Sequence, residues 1–214
     1  MRPRLLRLFP VHEQANRKLR FRTVTTNSGE AINSWILYIG EETMMILETS
    51  RLYLRHYINE DIHALHPMFS DPETMKFYPS HFSFDQTQQW ISRNMTRYDK
   101  DGFGLWAVCL KETDECIGDC GLVKQQINGK TEIEIGYHIS KGHWSKGYAS
   151  EAALACKEYG FYQIGLSRLI SIIAPGNIAS IRVAEKIGFS KEEEAIVFNR
   201  NHYIYSGVKG NENA

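Results

Sequence analysis

In the stretch Thr131-Glu-Ile-Glu-Ile-Gly-Tyr-His-Ile-Ser140, the odd positions Ile133, Ile135, Tyr137 and Ile139 are apolar, and the even positions Glu132, Glu134, Gly136 and His138 are not. A period of two sends alternate side chains to opposite faces of a strand, so one face must join a core while the other carries ionisable groups. Gly136 interrupts the run, and a glycine inside a strand marks a bulge or a close backbone approach. The loop Lys141-Gly-His-Trp-Ser-Lys-Gly-Tyr148 follows. Then comes a helical pattern from roughly Ala149 to Gln163, with Ala152, Ala153, Cys156 and Tyr159 as its buried stripe. Strand, glycine-containing loop and helix in this order aim backbone N–H groups and the positive end of a helix dipole at one point, which suits an anion such as a pyrophosphate. Gly147 is equally accounted for as a tight strand-to-helix turn.

The other segments supply a sheet and its covering helices. Glu48 to Arg55 alternates, with Leu52 and Leu54 on one side, and predicts a half-buried first strand. Helical spacing follows Asn59-Glu60-Asp61, with Ile62, Leu65 and Phe69, and again follows Ser83, with Trp90, Ile91, Met95 and Tyr98. Phe103 to Leu110 and Cys116 to Val123 read as two strands of a meander. Leu169 to Ile173 is almost continuously apolar, as a strand covered on both faces would be. Asn177 caps a helix running from Ile178 to Ile187 that Gly188 closes, and Ala195 to Asn199 with His202 to Tyr205 form a last hairpin. The fold class is α/β (α+β), a mixed sheet with flanking helices.

Composition narrows the function classes. The chain of 214 residues has 25 Lys plus Arg and 25 Asp plus Glu, so it carries no net charge that would favour nucleic acid. The zero hides an asymmetry: residues 1–45 hold seven basic against four acidic side chains, +3, and the remainder is −3. No apolar run approaches the roughly 18 residues of a membrane-spanning helix, and Arg7 and Pro10 interrupt Leu5-Leu6-Arg7-Leu8-Phe9-Pro10 too early for a secretory signal. The four cysteines show no C-x-x-C pair and no zinc spacing, so no metal is expected and reduced thiols of a cytoplasmic protein are. The domains expected are a basic, unstructured or non-essential extension over 1–45, a compact domain over 46–207 and a tail over 208–214.

Trp144-Ser-Lys-Gly-Tyr-Ala149, followed by Ser150-Glu151-Ala152, resembles the acetyl-coenzyme A loop of the GNAT N-acetyltransferases, whose pattern is Q/R-x-x-G-x-G/A. Thr49 to Arg55 is similar to the opening strand, and Asn177 to Phe189 to the closing helix, of the branch that acetylates protein N-terminal amines, including ribosomal proteins. The resemblance covers about residues 46–207. It implies the GNAT fold, a mostly antiparallel central sheet splayed between its fourth and fifth strands. It also implies acetyl-coenzyme A as co-substrate and direct acetyl transfer to a primary amine. Two positions depart from the pattern: Trp144 stands where the family has Gln or Arg, leaving Lys146 to supply charge, and Ala184 replaces a frequent tyrosine that protonates the thiolate.

What the resemblance implies for single residues follows from its motifs. Glu134 matches a carboxylate that acts as base, through water, and His138 on the same nominal face is the second candidate; the plain alternative for Glu134 is a solvated strand carboxylate. Backbone groups of Tyr137, His138 and Ile139, freed by a bulge, would receive the thioester. Trp144, Lys146, Gly147, Tyr148, Ala149 and Ser150 would hold the coenzyme phosphates. Asn177 would meet the pantetheine arm, and Ser180 would stand beside the sulfur as proton donor. A free α-amine titrates near 7.7–8.0 and a lysine near 10.4, so an N-terminus is the easier acceptor. A small amine such as a polyamine or an aminoglycoside-like compound is an alternative acceptor, and a non-catalytic coenzyme A-binding module is an alternative of another class. The expected partners are thus an amine-bearing N-terminus or small amine, without nucleic acid or membrane, for a monomer or homodimer.

Overall fold

A computed structural model describes residues 17–25, 31–39 and 43–210. The chain divides into two units, Met1–Met44 and Met45–Ala214. In the first, β1 (Arg17–Thr25) and β2 (Ala31–Ile39) pair antiparallel, so the described part of the expected unstructured extension is strand. Residues 1–16, 26–30 and 40–42 of the expected extension, and residues 211–214 of the expected tail, lie outside the described ones.

The second unit begins at Met45 within β3 (Thr43–Glu48) and continues through β4 (Leu52–Arg55), α1 (Ile62–Ser70), α2 (Phe84–Asp101), β5 (Leu105–Leu110), β6 (Cys116–Ile127), β7 (Lys130–Ile139), α3 (Tyr148–Glu158), β8 (Arg168–Ile173), α4 (Ile178–Lys186), β9 (Ser190–Val197) and β10 (Arg200–Val208). Its strands lie in the order β3-β4-β5-β6-β7-β8-β10-β9. Local chemistry sets the helix ends. The Ser83 hydroxyl accepts from the Gln86 N–H at 3.2 Å, the Gln86 side chain accepts from the Ser83 N–H at 2.8 Å, and Gly102 ends α2 at φ 79°. The pattern expected as helix to Gln163 is α-helical only to Glu158 and widens into a π-turn over Tyr159–Gln163. There Gly160 lies against the sheet, where a Cβ would stand 3.0 Å from Leu169 Cδ1.

The sheet is buried from both sides. Leu52, Leu54, Cys120, Leu122 and Ile135 share one core with Ala152, Ala153 and Cys156 of α3. On the opposite face, Arg55 is buried too, held by Asp61 through two hydrogen bonds of 2.6 and 2.7 Å. The first strand is therefore covered on both faces and not half-buried, because the turn before α1 folds over the face the alternation left polar.

Every pairing described in the second unit is antiparallel except β7 with β8, which is parallel and consists of the single bridge Glu134↔Ile170. Just past the bridge, Ser171 Oγ donates to the Ile135 carbonyl at 3.1 Å, and from there the two strands separate. This is the splay expected between the fourth and fifth strands. The bulge expected at Gly136 is absent: β6 and β7 pair without a break from Gly118↔Ile139 to Ile127↔Lys130. A register shift lies one strand away, between Val108 and Cys109 in the β5–β6 ladder. The edge of β7 is open because β8 leaves it.

Gly118 is where side-chain size is forbidden: a Cβ would lie 2.0 Å from the His138 carbonyl oxygen, backbone that cannot step aside, and its φ is 156°. Gly118→Ala is expected to cost about 3 kcal/mol of stability, at the upper end of overpacking changes. Urea denaturation reads it, and a variant as stable as the parent would refute the close approach.

Candidate active site

The open edge of β7 faces the first turn of α4. Tyr137 Oη donates to the Ser180 carbonyl at 2.9 Å across the gap, and Asn177 Oδ1 accepts from the Ser180 N–H at 3.2 Å, which caps α4. Tyr137, Ser180 and Asn177 are thus brought together, with His138 and Ile139 following along the same strand. Burial pushes the Tyr137 phenol above its ordinary value, so it stays a protonated donor.

The loop after β7 is fixed residue by residue. The Trp144 indole N–H donates to the Ile139 carbonyl at 2.6 Å, so its polar atom closes the end of the strand. Ser145 (φ 60°) and Gly147 (φ 84°) both take the left-handed conformation, which turns Lys146, Gly147 and Tyr148 into the start of α3. The first N–H groups of a helix have no partner within it, so those of Tyr148, Ala149 and Ser150 are presented at the positive end of the helix.

A brace unseen in the sequence secures this loop. Arg51 donates through Nη1 to the Lys146 carbonyl at 2.9 Å and through Nε to Glu151 Oε2 at 2.7 Å, and its guanidinium lies over the Tyr148 ring at 4.5 Å. Glu151 Oε1 accepts from Thr49 Oγ1 at 2.6 Å, Ser50 Oγ at 2.9 Å and the Arg51 N–H at 2.9 Å. The brace puts a guanidinium against the Glu151 carboxylate, which would otherwise oppose an anion at the same helix end. Burial pushes the Glu151 carboxyl up, but hydrogen bonds from Thr49, Arg51 and Ser50 outweigh it and hold it below the ordinary carboxylate range.

Because β7 has no bulge, Glu134, Gly136 and His138 stay on one face, the one covered by α1 and α2. Glu134 Oε2 accepts from Gln125 Nε2 at 2.6 Å. Burial raises the Glu134 carboxyl above its usual range, against the Gln125 hydrogen bond and the charge of His138. His138 Nδ1 meets Asp119 Oδ1 at 2.6 Å, and its Nε2 meets the Tyr78 hydroxyl. The rings of Phe69 and Trp90 stand edge-on to the imidazole at 5.3 and 5.7 Å between centroids. Burial pulls the His138 pKa down, while the charge and hydrogen bond of Asp119, with the charge of Glu134, carry it above the ordinary imidazole value.

Asp119, Tyr78, Arg51 and Glu151 were not singled out by sequence pattern. For Asp119 a signal existed: one carboxylate inside the apolar run Cys116-Ile-Gly-Asp-Cys-Gly-Leu-Val123. Tyr78 lies in a loop with no periodicity to read. Among the described residues no cluster of His, Cys, Asp and Glu could hold a metal ion, and no helix is long and apolar enough to cross a membrane.

Residues 51–190 match the family model described as an acetyltransferase (GNAT) domain. The uncharacterized protein YkkB of Bacillus subtilis is 39% identical over 74% of this chain and 93% of its own length. The uncharacterized N-acetyltransferase p20 of Bacillus licheniformis is 37% identical over 70% and 84%. Among solved structures, the GNAT-family acetyltransferase of Bacillus anthracis superposes with a TM-score of 0.65 at 31% identity, covering 77% of this chain and 98% of that one.

A carboxyl with a depressed folded-state pKa stabilises the protein above its unfolded value of about 4.3 and loses that contribution as pH falls through the folded value. Glu151→Gln is therefore expected to cost about 2 kcal/mol at pH 7, within the range for hydrogen bonds to a charged group. The gap to the parent should shrink below about pH 4. Urea denaturation from pH 7 to 3 measures it, and a gap independent of pH would refute the charged brace.

Proposed function

Since the chain belongs to the GNAT acetyltransferase family, we propose that it moves acetyl from acetyl-coenzyme A directly to a primary amine, and that a protein N-terminal α-amino group is the acceptor it suits best. One observation carries this reading: the open edge of β7 and the braced helix end lie to one side of the strand, and two ionisable side chains, Glu134 and His138, stand on its other face.

The residues fit the co-substrate. The N–H groups of Tyr148, Ala149 and Ser150, behind left-handed Gly147 and beside Lys146, offer a place for phosphates, and Trp144 holds that loop to β7. Along the edge that β8 leaves, the segment Tyr137, His138 and Ile139 would receive an extended amide-bearing arm beside the Ile139 carbonyl held by Trp144, with Asn177 and Ser180 on its far side. Bound there, acetyl-coenzyme A supplies an acetyl thioester. The protein orients it, excludes water from the face lined by Phe69 and Trp90, and accepts the proton an amine must lose. Ser180 would stand beside the departing sulfur, taking the place of the tyrosine absent at Ala184. The N-terminal acceptor is favoured because an α-amine is partly neutral near pH 7 and a lysine is not.

Thiol release from acetyl-coenzyme A with a panel of N-terminal peptides, lysine peptides and polyamines tests this. Turnover is expected to be fastest with N-terminal peptides at pH 7, with lysine peptides catching up above pH 9. Preference for polyamines would transfer the reading to small amines, and coenzyme binding without turnover on the whole panel would overturn it. A chain beginning at Met45 is expected to keep its thermal midpoint and turnover; loss of folding would show that the first unit is needed.

A further inference from the structure

Asp119 is fully buried on β6, at 0% exposure, and a buried carboxylate is costly unless donors surround it. Here Tyr57 Oη donates to Oδ2 at 2.7 Å and the Trp90 indole N–H donates to the same oxygen at 2.9 Å, which leaves Oδ1 to the His138 imidazole at 2.6 Å. A carboxylate oxygen only accepts, so Nδ1 carries the hydrogen, and Nε2 of the neutral ring is an acceptor aimed the other way. The Tyr78 hydroxyl stands at that acceptor.

Tyr78 differs in kind from the groups behind it. The His138 side chain is 10% exposed, whereas Tyr78 is 37% exposed, on the segment between α1 and α2. That segment is tied at its ends, by Asp71 accepting from the Thr74 N–H and hydroxyl at 2.8 and 2.7 Å and by the Phe82 N–H donating to the Phe69 carbonyl at 2.8 Å. Nearer its middle, Arg200 reaches the Phe77 carbonyl at 3.3 Å. A network built only for stability would end on a buried partner. This one runs out to a residue that reaches the surface, and displacement of the Tyr78 hydroxyl would leave Nε2 to an incoming N–H donor.

We propose that Nε2 of His138, oriented by Asp119, takes the proton from the acceptor amine, and that Tyr78 holds that position until the amine replaces its hydroxyl. The assignment rests on the acetyltransferase reading above. Each turnover exchanges a thioester C–S bond for an amide N–C bond. The sulfur leaves with the bonding electron pair, and the amine loses one proton. That proton goes to Nε2, the resulting imidazolium is paired with Asp119, and Tyr78 returns the proton to solvent when the product leaves. Asp119 and Tyr78 act through His138 and position it. Glu134 adds negative charge from the same strand without holding the proton.

The pH dependence follows from the groups around the ring. Asp119 faces it from β6, Glu134 from β7 and Tyr78 from the segment between α1 and α2; Phe69 of α1 and Trp90 of α2 bring rings without charge. Arg97 of α2 acts on Glu134. Below its pKa the imidazole is already protonated and cannot serve, so kcat/KM for the amine should rise with pH through that value. Removing the Asp119 charge should move the rise to lower pH.

The experiment compares wild type, His138→Gln, Asp119→Asn, Tyr78→Phe and Glu134→Gln in acceptor kinetics from pH 5.5 to 9, with coenzyme binding measured by calorimetry. His138→Gln is expected to lose about 100-fold or more in kcat with coenzyme affinity unchanged, the usual scale of general-base catalysis. Asp119→Asn should shift the acid limb downward, and Tyr78→Phe should keep the limb. If Asp119→Asn does not fold, the NMR titration of the His138 ring in wild-type protein decides: its midpoint should coincide with the acid limb of kcat/KM. A midpoint away from the limb, or His138→Gln turning over like wild type, overturns the proposal. So does a limb that is lost in Glu134→Gln alone. Wild-type protein that binds coenzyme but acetylates nothing overturns the acetyltransferase reading itself, whereas turnover that ignores His138 overturns only this assignment.

Discussion

The architecture depends on one interrupted pairing. Parallel strands next to each other normally satisfy a full ladder of backbone groups, yet β7 and β8 meet at Glu134↔Ile170 and then part. Buried backbone groups cannot be left without partners at little cost, so a gap of this kind persists only where something else completes it. Ser171 Oγ closes the first position beyond the bridge, and Tyr137 spans to α4 farther along. The rest of the edge is what a ligand with its own amides would pair.

Everything that touches the gap is braced from elsewhere in the chain. The turn Thr49 to Arg51 is about 100 residues from Glu151 in sequence, yet it fastens the loop that opens α3. This arrangement answers an electrostatic problem. An acidic side chain in the first turn of a helix is favourable to the helix dipole and unfavourable to a bound anion. Arg51 pairs with that charge and ties down the Lys146 carbonyl in the same gesture. The helix end is left braced, at the positive pole of the helix dipole.

The other face of β7 solves a different problem, keeping a carboxylate in a dry interior. Asp119 is tolerable because Tyr57, Trp90 and His138 surround it. Its charge and hydrogen bond in turn raise the His138 imidazole, against a burial that favours the neutral ring. Gly118 lets the two strands lie close enough for this, since any side chain there would meet the His138 carbonyl. The free N–H groups at the start of α3 and the ionisable side chains Glu134 and His138 thus lie on different sides of one strand.

Much of this was legible in the sequence. The period of two in β7 fixed which residues face α1 and α2, because pleating leaves no choice once one face is buried. Ser83, Asn177 and Gly188 marked helix ends through local hydrogen bonding or a positive φ, which neighbouring residues decide. The loop from Trp144 to Ala149 declared itself by its glycine and its place between strand and helix. What the sequence misjudged or omitted depended on contacts between distant segments: the covered outer face of β4, the unbroken β6–β7 register at Gly136, the Arg51 brace and the Asp119 cage. A lone Asp or Arg has no periodicity of its own, so its partner exists only after folding has brought strands together. Local preference determined the elements and the faces they present. Tertiary packing alone decided which charges meet, Asp119 with His138 and Arg51 with Glu151, because their partners lie far apart in the chain.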